Sequence, residues 1–324
     1  MLNILKKSLI AFFVFSPLAL CLAQSNYPSK PIRWLVPYPA GGGSDFLART
    51  ISQELSVLTS QSVLIDNKPG GNTAIAAAET AHAAPDGYTV LSADNGTMVN
   101  NPALYKNLSY DPVKELAPIT LMGKFPMILI VGPGLEVKTV AEFIAKVKST
   151  PGGLNYGSAG AGSPHHLAME LMKVETGLSM THVPYKGASP ALQDIAGGHI
   201  PAMMVDLAAG AGFIKSGKVK ALAVANSSRL AQLPDVPTFA ELGYKNIEAA
   251  AYVGLVAPAA TPPEVISSLQ KYISNVINQP AVNKKLTDFG IEPIGNTPQQ
   301  YQSLLRTETT KWQKLIKDLN ISLD

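Results

Sequence analysis

Cysteine is almost missing from this chain: among 324 residues only Cys21 carries a thiol. Charge is scarce as well, at 15% Asp, Glu, Lys and Arg against roughly 25% in an average globular protein. Beyond the N-terminus no apolar run approaches the roughly 18 residues of a membrane-spanning helix, which excludes a polytopic membrane protein. The formal net charge of +3 is small and scattered, which excludes a nucleic-acid binder with a basic face. The 46% hydrophobic content excludes a disordered, highly charged tail protein. A chain of this length buries roughly 75% of its unfolded surface without disulfide or metal staples, as one large domain or two ordinary ones.

The single cysteine lies in a segment with a different purpose. Residues 1–23 read MLNILKKSLIAFFVFSPLALCLA. Lys6 and Lys7 make a positive start, Leu9 to Leu22 an apolar run broken by Ser16 and Pro17, and Cys21 and Ala23 small residues before a cut ahead of Gln24. This pattern predicts a cleavable secretory signal and hence a periplasmic protein. The run is short for a membrane anchor, and bulky Leu20 argues against acylation of Cys21. Cleavage takes away Lys6 and Lys7 but no acid, so 26 basic residues become 24 against 23 acidic ones. The mature chain then has no thiol, hence no disulfide, no thiolate nucleophile and no Cys-ligated metal.

What remains alternates between short apolar runs and helical patterns. PIRWLVP (31–37) predicts a strand and SDFLARTISQELSVL (44–58) a helix with Phe46, Leu47, Ile51, Leu55 and Leu58 on one side. Strands at 63–66 and 88–94 flank an Ala-rich helix at 72–84. A second series runs from strand 127–132 through helix 139–149, strand 154–158, helix 164–176, strand 181–185, helix 188–197, strand 200–206, helix 207–216 and strand 219–225. Strand 252–258, helix 263–278 and an amphipathic helix from Pro298 to Leu319 complete the chain. Such alternation predicts an α/β protein with mainly parallel sheets flanked by helices. Two series without a flexible linker predict two lobes, 26–125 plus 250–324 and 126–249, with a cleft beyond the strand C-termini.

Two loops carry the strongest functional signal. Tyr38, Pro39, Ala40, Gly41, Gly42, Gly43, Ser44 and Asp45 join a strand to a helix. Glycines there allow positive φ and close approach of a ligand, and the helix N-terminus favours an anion. The loop is neither a P-loop nor a dinucleotide fingerprint, since GxxxxGK[ST] and GxGxxG are both absent. Taken alone it reads equally as a packing turn. The second loop, in the other lobe, holds Ser158, Ala159, Gly160, Gly162 and Ser163 before Pro164, His165 and His166. Ser163 reads as an N-cap with Pro164 at the first helical position. A small carboxylate held between two helix N-termini explains both loops, and backbone amides need no basic side chain for it.

Asp94 and Asp206 end strands on the cleft side, where each reads as a cap or as a ligand contact. Lys186 in VPYKG reads as a solvated loop lysine or as the partner of a second carboxylate. Enzyme readings are weak. Adjacent His165 and His166 point about 100° apart on a helix, no HExxH exists and GxSxG fails at Tyr156. A secreted α/β hydrolase using Ser158 or Ser163 with His166 stays as an alternative, and so does a ligand-loaded partner of a membrane sensor kinase.

VPYPAGGGSD, NKPGGNTAIAA, APDGYTVL, NYGSAGAGSPHHLAMEL, VPYKGASPALQDIAGG, LPDVPTFAELGY and GLVAPAATPPEVI follow one another along the mature chain. In content and order they resemble the Bug family of periplasmic solute receptors of tripartite tricarboxylate transporters. The resemblance implies a two-lobe periplasmic-binding-protein (Venus-flytrap) fold that closes on an organic acid, without enzymatic activity, cofactor or metal. It implies ligand contacts from 38–45 and 157–163, with His166 and Asp206 lining the pocket and Asp94, Asn95 and Lys186 as weaker correspondences. It also implies a membrane permease as partner; the receptor is expected to be a monomer that binds no nucleic acid.

Overall fold

The computed structural model describes residues 27–324; the predicted signal peptide and Cys21 lie outside the described residues. Strand β1 (Ile32–Val36) leads into helix α1 (Gly43–Thr59), which buries Leu47, Ala48, Ile51 and Leu55. Leu58, expected on the same stripe, is instead 40% exposed beside the left-handed Ser60 cap. Next come β2 (Val63–Asn67), α2 (Ala74–Ala81), β3 (Thr89–Ala93) and α3 (Asn101–Leu104). Then β4 (Leu116–Val131), α4 (Val140–Ser149), β5 (Leu154–Ser158), α5 (Pro164–Thr176), β6 (Met180–Pro184), α6 (Ala188–Ala196), β7 (Ala202–Asp206), α7 (Leu207–Lys215) and β8 (Lys220–Val224) follow. The chain ends with β9 (Ala250–Pro258), α8 (Pro263–Asn278), α9 (Pro280–Asp288), β10 (Glu292–Pro293) and α10 (Pro298–Asp318).

The strands lie in the order β2-β1-β3-β9-β4-β7-β5-β6, with β10 and β8 paired to β4. Pairing is parallel in β2-β1-β3 and β7-β5-β6, where helices serve as crossovers. It is antiparallel wherever β4 or β9 takes part. The sheets are therefore mixed rather than mainly parallel, because the strands that cross between the lobes run against their neighbours.

Strand β4 joins the halves. Residues Leu116–Pro126 pair with β9 in the first sheet, and Met127–Val131 lie between β7 and β8 in the second. Pro126 stands at the change of sheet, where a residue without an N–H interrupts a ladder at least harm. Around it Met127 N–H donates to Ala249, Ala225 N–H to Met127 and Ala249 N–H to Ala225, a three-way knot where the chain crosses. The sequence reading starts this strand only at Met127; Pro118, Pro126 and two register shifts against β9 hide its first part. Helices α3 and α9 and strand β10 are likewise absent from that reading.

Among the described residues the core falls into three apolar clusters. One lies under α1 and α8 and another under α6 and α7, each confined to one half. The third runs along the opposite side of both sheets, joining Leu35, Leu91 and Leu121 to Leu129, Met204, Leu167 and Trp312. Helix α10 contributes Tyr301, Trp312 and Ile316 to it, and starts with a capping box between Thr297 and Gln300. Among the described residues no helix is long and apolar enough to cross a membrane.

Candidate functional site

The first loop is held open by a buried carboxylate. Gly41, at φ +85°, donates its N–H to Asp45 Oδ2 at 2.9 Å. Asp45 also accepts from Arg49 at 2.9 Å and from Asn67 at 2.9 Å, and Asn67 donates to the Tyr38 carbonyl. Burial pushes the Asp45 carboxyl up, but Arg49, the Gly41 N–H and Asn67 together hold it below its ordinary value. Asp45 thus shapes the turn from behind, while the first N–H groups of α1 have no partner within the helix.

The second loop uses a parallel device. Ser163 Oγ accepts the His166 N–H at 3.3 Å and donates to the Gly160 carbonyl at 2.7 Å. Gly160 and Gly162 sit at φ +138° and +75°. Gly162 donates its N–H to His166 Nδ1 at 3.0 Å, which places the ring proton on Nε2, 3.8 Å from Glu170. The His166 ring stacks on His182 with centroids 3.8 Å apart, and His182 Nε2 lies 2.6 Å from Ser158 Oγ. Burial lowers His166 to about 3 and His182 to about 4, so both rings are neutral at ordinary pH.

Both loops open on one cavity of about 500 Å³. Tyr38, Pro39, Ala40, Gly41, Gly42 and Ser44 line it from the first loop, and Ala159, Ser163, Pro164 and His165 from the second. Lys186, Asp94 and Asp206 also face it. Asp45, Ser158, Gly160, Gly162 and His166 do not; they form the layer behind the loops. The neighbouring His165 takes the place expected of His166, with Nε2 2.9 Å from Asp206 Oδ2. Asp206 also caps α7 through the Ala209 N–H at 2.9 Å, so one side chain both caps a helix and faces the cavity. Burial pushes its carboxyl up, but His165 and these N–H groups keep it below its ordinary value. Asp94 caps Thr97 in the same way and accepts the Tyr38 hydroxyl. Burial, then Asp94, pushes that phenol well above its ordinary value, so Tyr38 stays a donor.

Of a third loop the sequence named only Lys186. Lys186 and Gly187, the latter at φ +112°, line the cavity and lead into α6, whose first residues Ala188, Ser189 and Pro190 line it too. The signal of this loop was the same strand–glycine–helix pattern as in the other two. Phe125, Leu192, Phe213, Ala251 and Val253 complete the wall. Phe125 lies so close to the start of α1 that a Cβ on Gly43 would come within 2.9 Å of its ring. Among the described residues, Ser44 Oγ and His165 Nδ1 are buried polar atoms in this wall without a hydrogen-bond partner.

The hydrolase constellation is not assembled. Ser158 is fully buried, the Ser163 hydroxyl is engaged with Gly160, and His166 Nδ1 is occupied by the Gly162 N–H. Among the described residues no group of three or more His, Cys, Asp or Glu is placed to hold a metal.

A cavity between two linked α/β lobes, walled by helix N-termini, defines the chain as a solute-binding receptor. The profile of the tripartite tricarboxylate transporter family receptor matches residues 47–321, and the chain belongs to that family. It is 31% identical over 313 residues to the protein BugT of Bordetella pertussis, covering 96% of each chain. An R. palustris protein solved with adipate is 34% identical, with a TM-score of 0.85 over 90% of this chain and 97% of that one. MatC from Rhodopseudomonas palustris, solved with bound malate, is 32% identical, with a TM-score of 0.82 over 90% of this chain and 100% of that one.

Proposed function

We propose that this receptor captures a small organic carboxylate between two lobes, 26–125 plus 250–324 and 126–249, and delivers it to a tripartite permease. It does so as a periplasmic monomer after removal of residues 1–23, and it performs no chemistry on its ligand. The observation that carries this reading is the meeting of two glycine-bearing helix N-termini, those of α1 and α5, in one cavity. Their orphan N–H groups and positive dipole ends favour an anion without a basic cluster. Ser44 Oγ adds a buried hydroxyl that donates to a ligand oxygen, and His165 Nδ1, on a ring whose Nε2 donates to Asp206, adds a buried acceptor for a ligand hydroxyl. The adipate and malate held by the two relatives agree with an acid as ligand. Closure orders the lobes, and contacts made only in the closed state offset that cost.

The test is thermal unfolding of ligand-stripped protein against a panel of organic acids. A ligand at 100 times its Kd adds about 2.7 kcal/mol, which raises Tm by on the order of 5 °C. A broad panel without a shift on folded, stripped protein overturns the reading.

A further inference from the structure

We infer that the ligand is an acid with one carboxylate and an apolar body, aromatic or medium-chain aliphatic, rather than a compact di- or tricarboxylate. The inference rests on the receptor reading above and specifies its substrate class.

Charge argues first. Lys186 is the one lysine or arginine among the described residues lining the cavity, and it is exposed at the rim. A solvated ammonium contributes little to holding a second anionic group. The two carboxylates that face the cavity, Asp94 and Asp206, are buried at 4% and 8% exposure. Both are already satisfied by protein donors, Asp94 by Tyr38 and Thr97 and Asp206 by His165 and Ala209. A second ligand carboxylate placed beside them meets negative charge and donors already engaged with Asp94 and Asp206, and burying an unpaired charge is costly.

Surface chemistry argues in the same direction. The Phe125 ring lies against the α1 N-terminus, and Val253, Ala251, Leu192 and Phe213 line the same cavity. Apolar surface there favours a carbon body lying directly against the carboxylate-binding turn, at roughly 25 cal/mol per Å² buried. A space of about 500 Å³ lies within the range of pockets that enclose whole small-molecule ligands. A four-carbon diacid leaves most of that wall without a partner.

Calorimetric titration of the stripped mature chain with matched pairs tests this: 4-methylbenzoate against terephthalate, and hexanoate against adipate, with malate and citrate alongside. In each pair the diacid replaces one methyl group by a carboxylate. The expected result is that the monoacid of at least one pair binds about tenfold or more tightly than its diacid and than malate or citrate. Phe213→Ala, at a half-buried position, should weaken that monoacid by about fivefold or more, with Phe125→Leu as a second variant. Tighter binding of the diacid in both pairs, or of malate or citrate over every monoacid, overturns the inference and leaves the receptor reading standing. Absence of binding by every acid, on folded protein, brings down the receptor reading itself.

Discussion

Gly42 and Gly162 belong to matching loops but carry different constraints. Gly42 has φ −82°, and a Cβ there meets nothing nearer than the Pro39 carbonyl at 3.7 Å. Gly42→Val is therefore expected to weaken ligand binding at least tenfold while Tm of the free protein moves by about 1 °C or less, read by titration and by melting. Gly162 has φ +75°, and a Cβ there falls 2.4 Å from Leu104. Gly162→Ala should cost about 2–4 kcal/mol of stability by denaturant unfolding, from strain and overpacking together. His166 and His182 predict the acid limb of stability. Their folded values lie near 3 and 4, below the ordinary 6.5, so the unfolded chain binds more protons. Stability is fully present above about pH 6.5 and is lost as pH falls towards 4. His182→Asn should make that limb of a Tm-against-pH curve shallower; an unchanged slope would show that the stack does not set it. Sequence alone gave no access to this pair, because the two residues are far apart in the chain and meet only through the β5–β6 register, Tyr156 opposite His182.

At the scale of elements, strand–glycine–helix units were the most legible part of the molecule. Capping chemistry is local, so Ser163 and Pro164 announce the start of α5 where the structure places it. Ser163→Ala removes that cap and is expected to cost about 1 kcal/mol by denaturant unfolding. It also removes one of the donors to the Gly160 carbonyl, leaving Ser158 Oγ and the Ser163 N–H, and should lower ligand affinity in the same preparation. Side-chain direction was not legible. Asp45 and His166 sit in the first turns of α1 and α5 yet point away from the cavity, because their partners, Asn67 from β2 and His182 from β6, come from neighbouring strands. Strand β4 was half read because prolines and bulges disguise a strand that both sheets bury.

For the whole molecule, alternation of elements and the unbroken run of family-like motifs made the two-lobe fold readable. The antiparallel crossing strands were not, since pairing direction depends on chain path and not on local pattern. The apolar cluster along one side of both sheets bears on unfolding. Residues of both halves share it, so calorimetry should record one main transition, with equal calorimetric and van't Hoff enthalpies. Two resolved transitions would mean that the halves melt independently. Ligand should move that single transition upward without splitting it.

Because β4 gives Leu116–Pro126 to one sheet and Met127–Val131 to the other, no single cut through a linker yields two self-contained pieces. A split at Pro126 leaves each fragment with an open strand edge in search of the other. Such fragments should assemble only when co-expressed, which makes this strand a natural seam for a two-part reporter whose reassembly is read as signal.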